Sequence, residues 1–336
     1  MKGRNIIVIG ASAGGLEAID KLVAQLRADM PASLFVVQHM AADANGEALL
    51  HQLRKHDLAC KLAEHGEVFK PGTIYIAPPD QHMLVKERTI LVTKGARENR
   101  NRPAIDPLFR SAAVTHGSHV IGVLLTGMLD DGTAGMLAVK KCGGISVVQD
   151  PADATYPQMP QSALDNAEID HCLPLAAMGG LLEQLSREHA GRRRAVPREI
   201  RVEAEIAERV LSDVSGVNGL GDQVPYNCPN CGGVLWEMEA ADEARFRCHT
   251  GHSFTASTLM VSQSEKIEET LWIALRMFEE RKNLLNSMIR RDGTRAMLSA
   301  KQRAKETQIH IERIRAILMS PLPSEAQASK RRKTVV

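Results

Sequence analysis

The sequence predicts a doubly wound α/β domain with a mainly parallel sheet, followed by a small cysteine-and-histidine unit and a C-terminal helical pair. Three observations predict it. Short apolar runs rich in Ile and Val alternate with amphipathic stretches through residues 1–186, the pattern of strands buried on both faces by crossover helices. Cys228, Cys231 and Cys248 lie close together while Cys60, Cys142 and Cys172 are scattered. Beyond residue 257 the apolar residues recur at helical spacing instead.

Residues 5–9 (NIIVI) form a short apolar strand ending at Gly10, and 15–27 have helical spacing. A second buried strand, 33–38 (SLFVVQ), precedes a helical stretch over 45–56. Segments 73–77 (TIYIA) and 89–93 (TILVT) are β-rich and separated by a Pro-Pro-Asp turn. Residues 107–115 read as a helix, 119–125 (HVIGVLL) as a strand, 133–141 as a helix and 144–149 (GISVVQ) as a strand. The domain closes near residue 186. Residues 187–222 read as a linker, basic and Pro-interrupted at first, with a short helix over 201–213 and a Gly-rich end. The Cys/His unit spans 223–256. In the helical pair, 257–320, Ile267, Leu271, Leu275, Phe278, Leu285 and Ile289 mark the first helix. Asp292-Gly293 turns into a second near 295–318, and the basic tail 321–336 is expected to be disordered.

Composition excludes several classes. A chain of 336 residues exceeds one ordinary core. The formal charge of +2 gives no electrostatic reason for a nucleic-acid partner. Aromatics are 3% of residues, so the core must be built from Ala, Val, Ile, Leu and Met. No apolar run reaches the roughly 18 residues that span a bilayer, so the chain is expected not to be membrane-spanning. The N-terminus, MKGRNIIVIG, has too short an apolar run for a secretory signal. Clustered rather than framework cysteines point to metal chemistry and a cytoplasmic location.

Gly10-Ala11-Ser12-Ala13-Gly14-Gly15 lies between the first strand and the first helix. A dinucleotide loop needs glycine where Ser12 stands and an acidic residue at the end of the next strand, where Gln38-His39 stand instead. The competing reading is a nucleophile elbow, in which small neighbours allow a sharp turn that pushes a serine oxygen out over the sheet. Taken alone, the motif fits a simple helix cap equally well. The rest of the chain shifts that balance. His39 follows the second strand, and Asp130-Asp131 follow the strand ending Leu124-Leu125. In an open parallel sheet, functional groups gather at the carboxyl ends of strands. A serine needs a base, and the histidine a carboxylate to fix its tautomer. The order Ser, His, Asp differs from that of the ordinary α/β-hydrolases.

VIGASAGG (8–15), VVQHM (36–40), IAPPDQHML (76–84), RPAIDPLFRSAA (102–113), LLTGMLDDGTAGM (124–136) and VVQDPADATYPQMPQSA (147–163) follow one another in order. Together they resemble the catalytic domain of CheB, the methylesterase that demethylates bacterial chemoreceptors, over nearly all of residues 1–186. The resemblance implies Ser12 as nucleophile, His39 as general base and Asp131, rather than Asp130, as the catalytic carboxylate. It places the oxyanion site at the backbone near Met128 and Ala13, and the Asp106–Arg110 segment at the rim. It implies hydrolysis of glutamate γ-methyl esters on methyl-accepting chemotaxis receptors, extends to glutamine amides, and requires no cofactor for catalysis. Leu129 departs from the glycine usual in the family, and Ala13 from the threonine of the enteric form. The chain starts directly at strand one, so control by a preceding phospho-receiver domain is expected to be absent. The alternative function is a non-catalytic signalling adaptor that binds a receptor or methyltransferase, which has no need of all three side chains.

The C-terminal cluster reads C-x2-C-x16-C-x3-H through Cys228, Cys231, Cys248 and His252. Two close pairs in glycine-containing turns match a structural zinc site of the ribbon kind. His249 could replace His252, although the turn at Gly251 favours the latter. A complete set of four ligands leaves no open position for zinc catalysis.

Overall fold

The computed structural model describes residues 3–41, 44, 46–192, 194–209, 221–238, 244–291 and 296–320. Parts of the expected Gly-rich linker, the Asp292-Gly293 turn and the basic tail lie outside the described residues. The chain divides into two units, Met1–Leu259 and Met260–Val336.

The first unit holds a seven-stranded sheet built from β1 (Ile6–Ala11), β2 (Ser33–Gln38), β3 (Ala59–Leu62), β4 (Thr73–Ile76), β7 (Val120–Leu124), β8 (Ile145–Gln149) and β9 (His171–Leu173). The order is β3-β4-β2-β1-β7-β8-β9, and every pairing is parallel. The chain winds outward from β1 one way, then returns to β7 and winds the other way. The switch point therefore falls at the carboxyl ends of β1, β2 and β7, where such sheets place their sites.

Alternation along β1 explains the two cores. Ile7, Ile9 and Ala11 face a cluster with Ile19 and Leu22 of α1 (Gly15–Val23), Leu49 and Leu53 of α2 (Glu47–Leu53) and Leu182 of α6 (Leu175–Arg187). Ile6 and Val8 face the opposite cluster, with Phe109 of α3 (Ile105–His116), Val139 of α4 (Thr133–Lys141) and Ala163 of α5 (Gln158–Asn166). A strand buried on both faces has no polar alternation to display, which is why these runs read as continuous apolar sequence.

β5 (His82–Val85) and β6 (Ile90–Thr93) form a separate antiparallel hairpin. Of the two β-rich segments expected over 73–77 and 89–93, β4 joins the main sheet and β6 pairs with β5 instead. The sequence reading lacks β3, β5, β9, α5 and α6. Residues 198–209 form α7 (Arg198–Arg209), which packs against α3 through Glu203.

The same unit includes a four-stranded antiparallel sheet in the order β10 (Gly221–Asn227), β11 (Val234–Met238), β12 (Arg245–Cys248) and β13 (Ser253–Thr255). Leu235, Phe246, Phe254 and Leu259 form its small core.

In the second unit α8 (Ala256–Arg291) continues beyond Leu259 and pairs with α9 (Ala296–Met319). Phe278 stacks on His310 at 5.3 Å, Lys282 donates to Gln308 at 2.7 Å, and Arg315 to Glu279 at 2.5 Å. Of the expected stripe, Leu275 and Leu285 are buried, whereas Ile267 is exposed. Among the described residues no helix is long and apolar enough to cross a membrane.

Candidate active site and metal centre

β1 delivers Ser12 to the switch point. The chain leaves the strand through Gly14, whose φ of 76° is left-handed and strained for any other residue, so α1 can begin at once. Ser12 N–H donates to the Thr126 carbonyl at 3.0 Å, tying the turn to the end of β7. Gln38 at the end of β2 donates from its amide to the carbonyls of Ser12 (2.8 Å) and His39 (3.0 Å). His39 N–H in turn reaches the Ala11 carbonyl at 3.0 Å. Three strand ends are thus laced together, and the functional side chains are fixed from below.

His39 Nδ1 lies 3.0 Å from Ser12 Oγ, and Nε2 lies 2.7 Å from Asp131 Oδ2. With Asp131 ionised, the consistent tautomer carries its proton on Nε2, leaving Nδ1 to accept the serine proton. Asp131 is buried and receives three more donors: Ile105 N–H at 2.8 Å, Asp106 N–H at 3.3 Å and the Asn99 side-chain amide at 3.0 Å. The two backbone donors open α3, so the carboxylate also meets a helix N-terminus. Burial pushes the Asp131 carboxyl up, but His39, the Ile105 N–H and the Asn99 amide outweigh it and hold it below the usual range.

Asp130 faces elsewhere. Its Oδ2 accepts from the hydroxyls of Thr255 (2.6 Å) and Ser257 (2.5 Å), and burial raises its carboxyl. Asp106 accepts from Asn99 and from the N–H groups of Gly132 and Gly135. Burial, then the charge of Asp131, push it up to about 7. Neither contacts His39.

The loop after β7 presses against the nucleophile. A Cβ at Gly127 would meet Ser12 Cβ at 2.8 Å, so glycine is required for that approach. Gly127 N–H donates to the Tyr156 carbonyl and Leu129 N–H to Gln158. Leu129 itself has a φ of 64°, the left-handed backbone expected of the glycine it stands for. Among the described residues, the N–H groups of Ala13 and Met128 meet no acceptor. Free N–H groups beside a nucleophile suit a developing oxyanion.

Arg110, placed at the rim by the sequence reading, is instead fully buried in a charge cluster. It pairs with Glu98 at 2.8 Å and Glu203 at 3.0 Å, while Arg245 and Arg247 reach Glu203 at 3.1 and 3.4 Å. Burial opposes ionisation of Glu98, yet Arg110 and Arg247 hold it down at about 2. Sequence reasoning missed Asn99, Glu98 and Glu203, which stand in polar stretches with no periodic or motif signal.

At the second site, Cys228, Cys231, Cys248 and His252 bring their ligand atoms within 4.8 Å of one another. His252, not His249, belongs to this set. Cys231 Sγ is 3.7 Å from Cys248 Sγ, and Cys248 Sγ is 3.5 Å from His252 Nδ1. Tetrahedral zinc with ordinary bond lengths has S···S and S···N edges of about 3.8 and 3.6 Å. These two edges match those of a tetrahedral zinc site. One hydrogen bond couples Cys228 and Cys248, lowering the Cys248 thiol and raising that of Cys228.

Comparison with known proteins follows the same boundaries. The family described as CheB methylesterase matches residues 7–182. A Leptospira interrogans relative is 36% identical over 188 residues, covering 56% of this chain and 97% of its own. Two proteins named protein-glutamate methylesterase/protein-glutamine glutaminase are longer. That of Photorhabdus laumondii is 36% identical over 53% of this chain and 52% of its own, and that of Thiobacillus denitrificans 41% over 51% and 49%. The chain thus spans about half the length of these two. The crystal structure of the Thermotoga maritima CheB methylesterase catalytic domain superimposes with a TM-score of 0.53 at 34% identity, covering 55% of this chain and all of that one. The chain belongs to the CheB methylesterase family.

Proposed function

We propose that this protein hydrolyses glutamate γ-methyl esters on a methyl-accepting signalling receptor, releasing methanol, and that it also deamidates glutamine at such sites. The observation that carries the reading is the unbroken hydrogen-bonded chain from Ser12 through His39 to Asp131. Ser12 Oγ attacks the ester carbonyl as His39 Nδ1 takes its proton. The oxyanion is held by the free N–H groups near Ala13 and Met128. His39 returns the proton to the departing methanol, leaving an acyl-enzyme. Water, deprotonated by His39, releases the glutamate carboxylate. Asp131 stabilises the imidazolium in both halves and stays ionised. No metal or organic cofactor enters these steps.

Cys228, Cys231, Cys248 and His252 are read as ligands of a structural zinc, which would order the 221–259 unit. The proposed domains are a methylesterase domain over 1–186, a connection containing α7, the zinc-ribbon-like unit and the helical pair. The protein's site of action on such a receptor would be the cytoplasmic face.

A fluorophosphonate tests the reading. The adduct should map to Ser12 by mass spectrometry, and its formation should abolish demethylation of a receptor's cytoplasmic fragment in step. An adaptor would give neither adduct nor product, and that outcome would end the esterase reading.

A further inference from the structure

Asn99, one of the donors that hold Asp131, belongs to the 97–101 loop. There Asn99 and Arg100 are successive non-glycine residues in left-handed backbone, with φ of 47° and 70°. Such backbone persists only where its surroundings hold it. The antiparallel sheet around the metal centre supplies much of that hold. Asn99 N–H donates to the Ser253 carbonyl at 2.9 Å, and Ser253 N–H to the Arg97 carbonyl at 3.4 Å. Fully buried Arg247 pairs with Glu98 at 3.1 Å and ties back to the Gly251 carbonyl at 3.0 Å. Two residues further on, Thr255 holds Asp130, the neighbour of Asp131, and Ser257 holds it as well.

Cys248 and His252 are therefore bracketed by the residues that grip this loop, Arg247 before them and Ser253 after. We propose that the metal-bound turn Cys248–His252 is a positioning element of the catalytic triad. By fixing Arg247, Ser253 and Thr255 it holds Asn99 and Asp130, and through them keeps Asp131 aligned on His39. Ester hydrolysis then depends on zinc at a site that takes no part in the chemistry. This rests on the proposed roles of Ser12, His39 and Asp131. Asn99 is a positioning residue, since it acts on the substrate only through Asp131.

The test uses the full chain loaded with Zn²⁺, the same chain stripped by a chelator, and zinc-loaded Asn99→Ala. Three quantities are read: the rate and pH profile of fluorophosphonate labelling, the low-field proton resonance of the His39–Asp131 hydrogen bond, and amide exchange in β1 and β7. Stripping should slow labelling by about tenfold to a hundredfold, the size expected of an ångström-scale misplacement. It should also abolish the low-field resonance while β1 and β7 stay protected, and Zn²⁺ should restore both. Asn99→Ala, which leaves the metal turn intact, should give the same losses at saturating zinc with an altered pH profile. If stripping unfolds the whole unit, Asn99→Ala decides. Full labelling and an unchanged resonance in the stripped chain, or in Asn99→Ala, would overturn the proposal, as would failure to bind Zn²⁺. A resonance that answers to zinc while Ser12 never labels would instead overturn the esterase reading alone.

Discussion

Two adjacent aspartates sit at the end of β7, and the structure separates them by their partners. Asp131 touches His39 Nε2 at 2.7 Å, whereas Asp130 accepts from the hydroxyls of Thr255 and Ser257. Ser12→Ala and His39→Ala should each abolish hydrolysis with the fold intact. Asp131→Asn should lower turnover by up to ~10⁴, since the amide no longer selects the catalytic tautomer. Asp130→Asn should be far milder, and steady-state rates on a soluble ester check the set. Asp106 supplies a pH signature. Its folded carboxyl titrates at about 7 against an ordinary value of 3.8, so between these values the folded chain binds a proton that the unfolded chain has released. Its contribution to stability therefore falls as pH rises through that window and levels off above it. Asp106→Asn should remove that slope when denaturant midpoints are compared from pH 4 to pH 8. The placement of Ser12, His39 and the aspartate pair was legible, because each follows a strand of a parallel sheet. Asn99 was not, because its role comes from a left-handed loop that ENRN does not announce.

The elements around the site are joined by charge where the sequence suggests only polar surface. Glu203 on α7 meets Arg110 from α3 and Arg245 and Arg247 from β12, all buried. Burying such groups is tolerable only while they are paired. Glu203→Gln should cost about 3–5 kcal/mol, the usual penalty for leaving buried charge uncompensated, measured by chemical unfolding. A loss below about 1 kcal/mol would mean that water reaches the cluster. Strand-helix alternation revealed the centre of the sheet, and a helix was expected over 201–213 where α7 runs Arg198–Arg209, but its buried Glu203 was not foreseen, because charged side chains aimed inward look like a solvated face. It also missed β9, only three residues long, and α5, which carries Pro160 in its first turn. Cysteine spacing, by contrast, picked out the four side chains, Cys228, Cys231, Cys248 and His252, that the fold brings together.

At the scale of the whole molecule, the α/β sheet and the small antiparallel sheet lie in one compact unit, Met1–Leu259. A chain ending after residue 186 loses Glu203 from Arg110 and the hydroxyls of Thr255 and Ser257 from Asp130. One ending near residue 264 keeps them all. The shorter chain should melt at least about 6 °C below the longer, from roughly 3 kcal/mol for one broken buried pair. Equal melting temperatures would show that the catalytic sheet needs nothing beyond residue 186. The esterase claim itself is tested most directly by release of labelled methanol from a receptor fragment methyl-esterified at its glutamates. The full zinc-loaded chain should release methanol catalytically and Ser12→Ala should release none. Equal release by the two proteins, or none by either on a substrate that another CheB-family esterase demethylates, would contradict the account.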